Sequence, residues 1–169
     1  MTNRETIIHI DWDGPYTLDT IKGLKGSTDF GVYQIYGGGP VYGGSALLYI
    51  GRACDQYFAT RIPQEVQWLD NRDAARVEVY VGRLSGARTP DNDAWVLQIK
   101  LAERLLISAH SPPHNTQKNL GALERDLWSV HVLNWGHRRD LVPEVSGARW
   151  TTRFDDPPNY HAFSEDELE

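Results

Sequence analysis

The chain has 169 residues, 40% hydrophobic and 24% charged, with a single cysteine, which suits one compact domain with a real core. A net charge of −6 excludes a strongly basic nucleic-acid binder, but residues 155–169 hold six acids and no Lys or Arg, leaving 17 acids and 17 bases in the rest. With no apolar run near the roughly 20 residues of a membrane helix, no hydrophobic leader, and no partner to give Cys54 an internal disulfide, a cytoplasmic chain without a membrane partner is expected.

In chain order, residues 7–10 read as a short strand and Asp11-Trp12-Asp13-Gly14-Pro15 as a turn. Residues 17–24 suit a short helix N-capped by Thr17. Residues 30–36 alternate and are rich in strand formers, 37–45 are a glycine-rich loop, and 46–51 are a second strand. Residues 55–69 look helical, with Pro63 as a kink or helix start, and 70–75 turn-like. RVEVYVGRL at 76–84 is a third strand, followed by a loop at 85–90. Residues 91–110 form the longest helix, with Val96, Ile99, Leu101, Leu105, Leu106 and Ile107 at helical spacing. Ser111-Pro112-Pro113 ends it. Beyond Asn115, a short helix at 120–126, a strand at 128–135, a loop at 137–147 and a flexible acidic tail from Asp155 are expected.

Two short words stand out: Gly31-Val32-Tyr33 and Tyr49-Ile50-Gly51, each inside a strand. Arg61 follows on the next helix, and Glu103 lies on the long helix, with Pro112 nine and Asn115 twelve residues further on. This set resembles the GIY-YIG nuclease family, over roughly residues 30–119. The resemblance implies an α/β (α+β) fold, a small central three-stranded sheet with antiparallel pairing flanked by helices. On that reading 1–29 is an N-terminal elaboration, 30–119 the catalytic core, 120–154 a C-terminal elaboration packed on it and 155–169 the tail.

The resemblance also implies a Mg²⁺-dependent (or Mn²⁺-dependent) DNA endonuclease with one site per chain. Phosphodiester hydrolysis needs an activated water, charge stabilisation on the phosphate and help for the leaving oxygen, and a divalent ion supplies the last two. Glu103 is the candidate metal ligand, since Mg²⁺ is held by as little as one carboxylate plus waters and substrate oxygens. Its bland alternative is a solvated helix glutamate. Tyr33 is implied to activate water, with Tyr49 assisting, although a free phenol at pKa ~10 is a poor base and strand tyrosines more often simply pack. Arg61 is expected on the scissile phosphate, through paired N–H groups. Arg52 is a second cation aimed at the site, Gly51 permits close approach of substrate backbone, and Asn115 supports the Glu103 region from the substrate side. Arg138 and Arg139, with His137, form a small basic cluster that suits a DNA backbone or an ordinary solvated loop.

Two loops are longer than the family's pattern, and Glu65 occupies a position, one turn after Arg61, where many members carry His or Tyr. A carboxylate there repels phosphate, holds a second ion or weakens the site. The alternative function is therefore a weakly active or inactive module that keeps the fold and binds DNA or protein. One site cuts one strand, so a double-strand cut needs a homodimer, a second binding event or a partner within a larger defence or repair assembly. His110 and His114 are excluded as paired zinc ligands because Pro112 and Pro113 break any shared helix face.

Overall fold

A computed structural model describes residues 5–39, 41–66, 76–86, 93–116 and 123–150. Six strands in this part form one mixed, curled sheet: β1 Thr6–Tyr16, β2 Gly31–Gly39, β3 Gly43–Ala53, β4 Glu78–Leu84, β5 Val130–Gly136 and β6 Glu144–Ser146, in the spatial order β3-β2-β4-β1-β5-β6. Two α-helices are present among the described residues, α1 Phe58–Glu65 and α2 Asp93–His110. Neighbours pair antiparallel except β1 and β5, which run parallel.

The expected three-stranded sheet flanked by helices is therefore corrected: β2, β3 and β4 make only half of a larger sheet. The N-terminal segment extends this unit at the β4 edge. β1 lies between β4 and β5, with Ile8, Ile10 and Trp12 facing the core at period two. The turn expected at 11–15 is instead strand, because Asp11 to Asp13 stay in register with β4 and the irregularity begins only after Asp13. The Gly-rich segment at 37–45 largely continues the β2–β3 hairpin, Gly37 pairing with Ala46 and Gly39 with Gly43. The 137–147 segment hides the three-residue strand β6, too short for a periodic signal.

Other assignments hold with adjusted ends. Helix 17–24 shrinks to a 3₁₀ turn at Thr20–Gly23, where Thr17 Oγ1 accepts from the Thr20 N–H at 3.1 Å. The helix expected at 55–69 is seen over Phe58–Glu65 and starts three residues late, after a bend at 54–56, while 67–69 and the 70–75 turn fall outside the described residues. Of the 120–126 helix only a 3₁₀ turn at Arg125–Leu127 is seen, and the acidic tail also falls outside.

The alternating strands give the sheet two apolar faces, each covered by one helix. Ile8, Ile10, Trp12, Val32, Ile50 and Val132 pack against Ile99, Ala102, Leu105 and Leu106 of α2. On the other face Tyr33, Ile35, Ala53, Val79 and Val81 pack against Phe58 and Ile62 of α1 and against Ile21. β3 ends the sheet, so residues of α1 and α2 can meet only by reaching around its free edge. No helix among the described residues is long and apolar enough to cross a membrane.

Candidate active site at the edge of the sheet

β2 and β3 place the two tyrosines. Tyr33 pairs with Gly51 and Ile35 with Tyr49, so both phenols project from the α1 face on neighbouring diagonal positions. Their ring centroids are 6.1 Å apart and tilted by 35°. Gly51 lies beneath both: a Cβ there would stand 2.5 Å from the Tyr33 Cζ and hydroxyl and 2.7 Å from Tyr49 Cε1. The glycine of the second word is thus covered by the rings rather than open to a substrate backbone.

Arg61 comes from α1 and pairs with Glu65 one turn on. Glu65 also lies beside the Tyr49 hydroxyl. Glu103 comes from the opposite face. It occupies the same helical stripe as Ile99 and Leu106, is only 3% exposed, and is ion-paired with Arg52 of β3. A carboxylate in an apolar stripe needs such a partner, because an unpaired buried charge is prohibitively costly. The solvated-glutamate reading of Glu103 is thereby excluded.

These side chains border one cavity of about 320 Å³ wrapped around the β3 edge, lined by Tyr49, Arg52, Ala53, Cys54, Asp55, Gln56, Arg61 and Glu103. Tyr49 and Arg61 enter from the α1 side, Arg52 and Glu103 from the α2 side. Tyr33 is not in the lining: it is fully buried behind Gly51, and its hydroxyl has no hydrogen-bond partner of normal geometry. Cys54, Asp55 and Gln56 were not singled out from the sequence. Their signal was position, since they make the turn directly after Arg52 that closes the cavity floor.

The chain returns beside β3 after α2. The Ile50 N–H donates to Asn115 Oδ1 at 3.0 Å, Asn115 Nδ2 donates to the Ile50 carbonyl at 2.8 Å, and the His114 N–H donates to the Leu48 carbonyl at 3.0 Å. The Asn115 amide therefore takes the place of a missing neighbouring strand, satisfying backbone groups that an edge leaves open. Asn115 is buried and does not line the cavity; it fixes the strand that carries Tyr49 and Arg52.

Arg138 and Arg139 do not join this site. Arg138 donates to the Leu141 carbonyl; Arg139 pairs with Glu78, donates to Ser45 Oγ at 2.6 Å, and stacks 4.2 Å from the Tyr36 ring centroid. The Arg138 guanidinium ties the 137–141 segment to itself, and that of Arg139 fastens it to the sheet.

Burial raises the pKa of Tyr33, helped by the phenol of Tyr49 and the carboxylate of Glu65; burial also raises that of Tyr49, helped by Glu65 and Glu103. Arg61 lowers both, but not enough to compensate. Neither phenol gives up its proton near neutral pH. Burial pushes the Cys54 thiol up to about 11, so it is a neutral wall of the cavity.

Among the described residues, no cluster of three or more His, Cys, Asp or Glu forms a ready cage for a metal ion. The cavity instead offers hard oxygens, the carboxylates of Glu103 and Asp55 and the Gln56 amide. That donor set fits Mg²⁺ or Mn²⁺, which keep waters and take one or two protein carboxylates, and does not suit zinc. No protein-family model matches the chain, and searches of curated proteins and of solved structures likewise give no match.

Proposed function

We propose that the chain is a phosphodiester hydrolase acting on DNA, a Mg²⁺- or Mn²⁺-dependent endonuclease whose site is the β3-edge cavity. One observation carries this reading: Tyr49, Arg61 and Glu103, singled out by the family resemblance and supplied by three different elements, border a single cavity, with Tyr33 packed directly behind it. Chance placement of a strand phenol, a helix guanidinium and a carboxylate from the opposite face has no reason to produce that meeting.

In this reading Glu103, with Asp55 within the same lining, would hold the ion, which would supply positive charge to the phosphate and the leaving oxygen. Arg61 and Arg52 bind the phosphate oxygens. Both now rest on carboxylates, Glu65 and Glu103, so an arriving phosphodiester competes with them for the guanidiniums and adds a negative charge that a divalent ion would offset. Tyr49 orients the attacking water, and the Tyr33 ring fixes Tyr49 by packing. A dimer or an added partner is required for a double-strand cut.

The same two ion pairs favour a second reading, an inactive module that keeps its cations neutralised and binds DNA or protein weakly. Plasmid nicking separates the two. Purified protein with Mg²⁺ or Mn²⁺ is expected to convert supercoiled plasmid to the open circle. Glu103→Gln, which keeps the side-chain volume, is expected to lose at least ~10²-fold in rate, with its circular dichroism spectrum unchanged. Equal inertness of wild type and Glu103→Gln across both ions would establish the module reading instead.

A further inference from the structure

We propose that Glu65 is the proton acceptor of the site, receiving through the Tyr49 hydroxyl the proton of the attacking water. The inference rests on the hydrolase reading and adds a residue to it. A base is required, because water is a poor nucleophile at neutral pH. Tyr33 is sealed behind Gly51. Glu103 is buried, bound to Arg52, and assigned to the ion. Glu65 is the carboxylate that lies beside Tyr49, the phenol lining the cavity, and it is held there by Arg61 from the same helix. The firm hold of both phenols on their protons supports a relay over a free phenolate.

Atoms and charges balance in this step. As the water oxygen bonds to phosphorus and the bond to the leaving sugar oxygen breaks, the water proton moves to the Tyr49 oxygen and the Tyr49 proton to Glu65. Tyr49 ends neutral. Glu65 ends as a carboxylic acid and returns its proton to solvent, while the leaving oxygen takes one from solvent. Protonation of Glu65 also removes the counter-charge of Arg61. The guanidinium then acts on the phosphate just as negative charge builds there. The groups facing Glu65 are Arg61 on its own helix and Tyr33 and Tyr49 on the sheet, and both phenols also sense Glu103 of α2.

The test follows cleavage of a short fluorescein-labelled DNA duplex and of supercoiled plasmid with Mg²⁺ and with Mn²⁺, over a range of pH. Glu65→Gln is expected to lower kcat by ~10²-fold with KM unchanged or lower. Glu65→Asp should regain part of the rate. Wild-type rate and profile in Glu65→Gln would overturn the proposal, as would a loss confined to KM, the pattern of weakened phosphate binding by a displaced Arg61. Wild-type protein that cuts nothing with either ion removes the hydrolase reading itself, whereas equal cutting by wild type and Glu65→Gln removes this assignment alone.

Discussion

Replacing Gly51 by alanine drives a methyl group into two phenol rings. Gly51 has an ordinary strand φ, so the backbone accepts alanine and the effect isolates the clash. The new carbon would sit 2.5 Å from Tyr33 and 2.7 Å from Tyr49, about 1 Å inside the ~3.5 Å of ordinary contact. Tyr33 has no room to yield, being packed with Ile35, Phe58 and Ile62. Overpacking of this kind costs about 1–3 kcal/mol, and losing glycine's excess freedom in the unfolded chain returns about 0.5–1 kcal/mol. The mid-range values leave a net loss of about 1 kcal/mol, which lowers Tm by about 2–4 °C in a domain of this size. Thermal melts followed by circular dichroism measure it. In a Tyr33→Leu background the same substitution should cost much less, giving a non-zero coupling in the double-mutant cycle. A Gly51→Ala protein that melts no lower than wild type, or a cycle with no coupling, would show that the rings do not lie over Gly51 and would undo the reasoning about the site.

Three further outcomes are expected. Asn115→Ala removes both bonds to Ile50 and leaves buried backbone groups without partners, so urea unfolding should show a loss of about 2–4 kcal/mol, with wider hydrogen exchange along β3. Tyr33→Phe deletes a buried hydroxyl without a normal hydrogen bond, so it should leave stability unchanged or raise it by up to about 1 kcal/mol; a clear destabilisation in thermal melts would reveal a partner for that hydroxyl. His110 accepts the Val142 N–H at Nε2 over 3.1 Å, and burial lowers its pKa, so it is neutral in the fold. The unfolded chain then binds the proton more readily, and stability is full above the unfolded value of about 6.5 and falls as pH drops through it towards the lower folded value. His114 is shifted in the same direction, so the comparison of wild type with His110→Gln isolates the His110 share: the variant should show a shallower decline in urea stability on acidification.

Much of the local structure was legible because it is written in neighbouring residues. The alternation at 30–36, 46–51 and 76–84 gave β2, β3 and β4, and the 3.6-residue spacing of Ile99, Leu105 and Leu106 gave α2. The candidate residues Tyr49, Arg61 and Glu103 were picked out through the resemblance to a nuclease family. Their surroundings were not. Glu103 could be seen to interrupt an apolar stripe, which hints at a buried partner, but nothing nearby named Arg52, fifty-one residues away. Arg138 and Arg139 looked like a free basic cluster because Glu78, Ser45 and Tyr36 are distant in sequence. Asn115 looked like a site residue because its two hydrogen bonds go to backbone, which leaves no mark in the sequence.

By itself, then, the sequence determined most of the strands and the long helix, since period and composition act over a few residues. Only the tertiary structure decided that β1 runs through the middle of the sheet, tied to β5 by a Trp12–Asn134 bond across 122 residues, and that β3 is left at the edge. Strand neighbours are chosen by long-range burial and backbone pairing, which no local pattern encodes. That choice is what lets side chains from opposite faces of one sheet reach the same cavity.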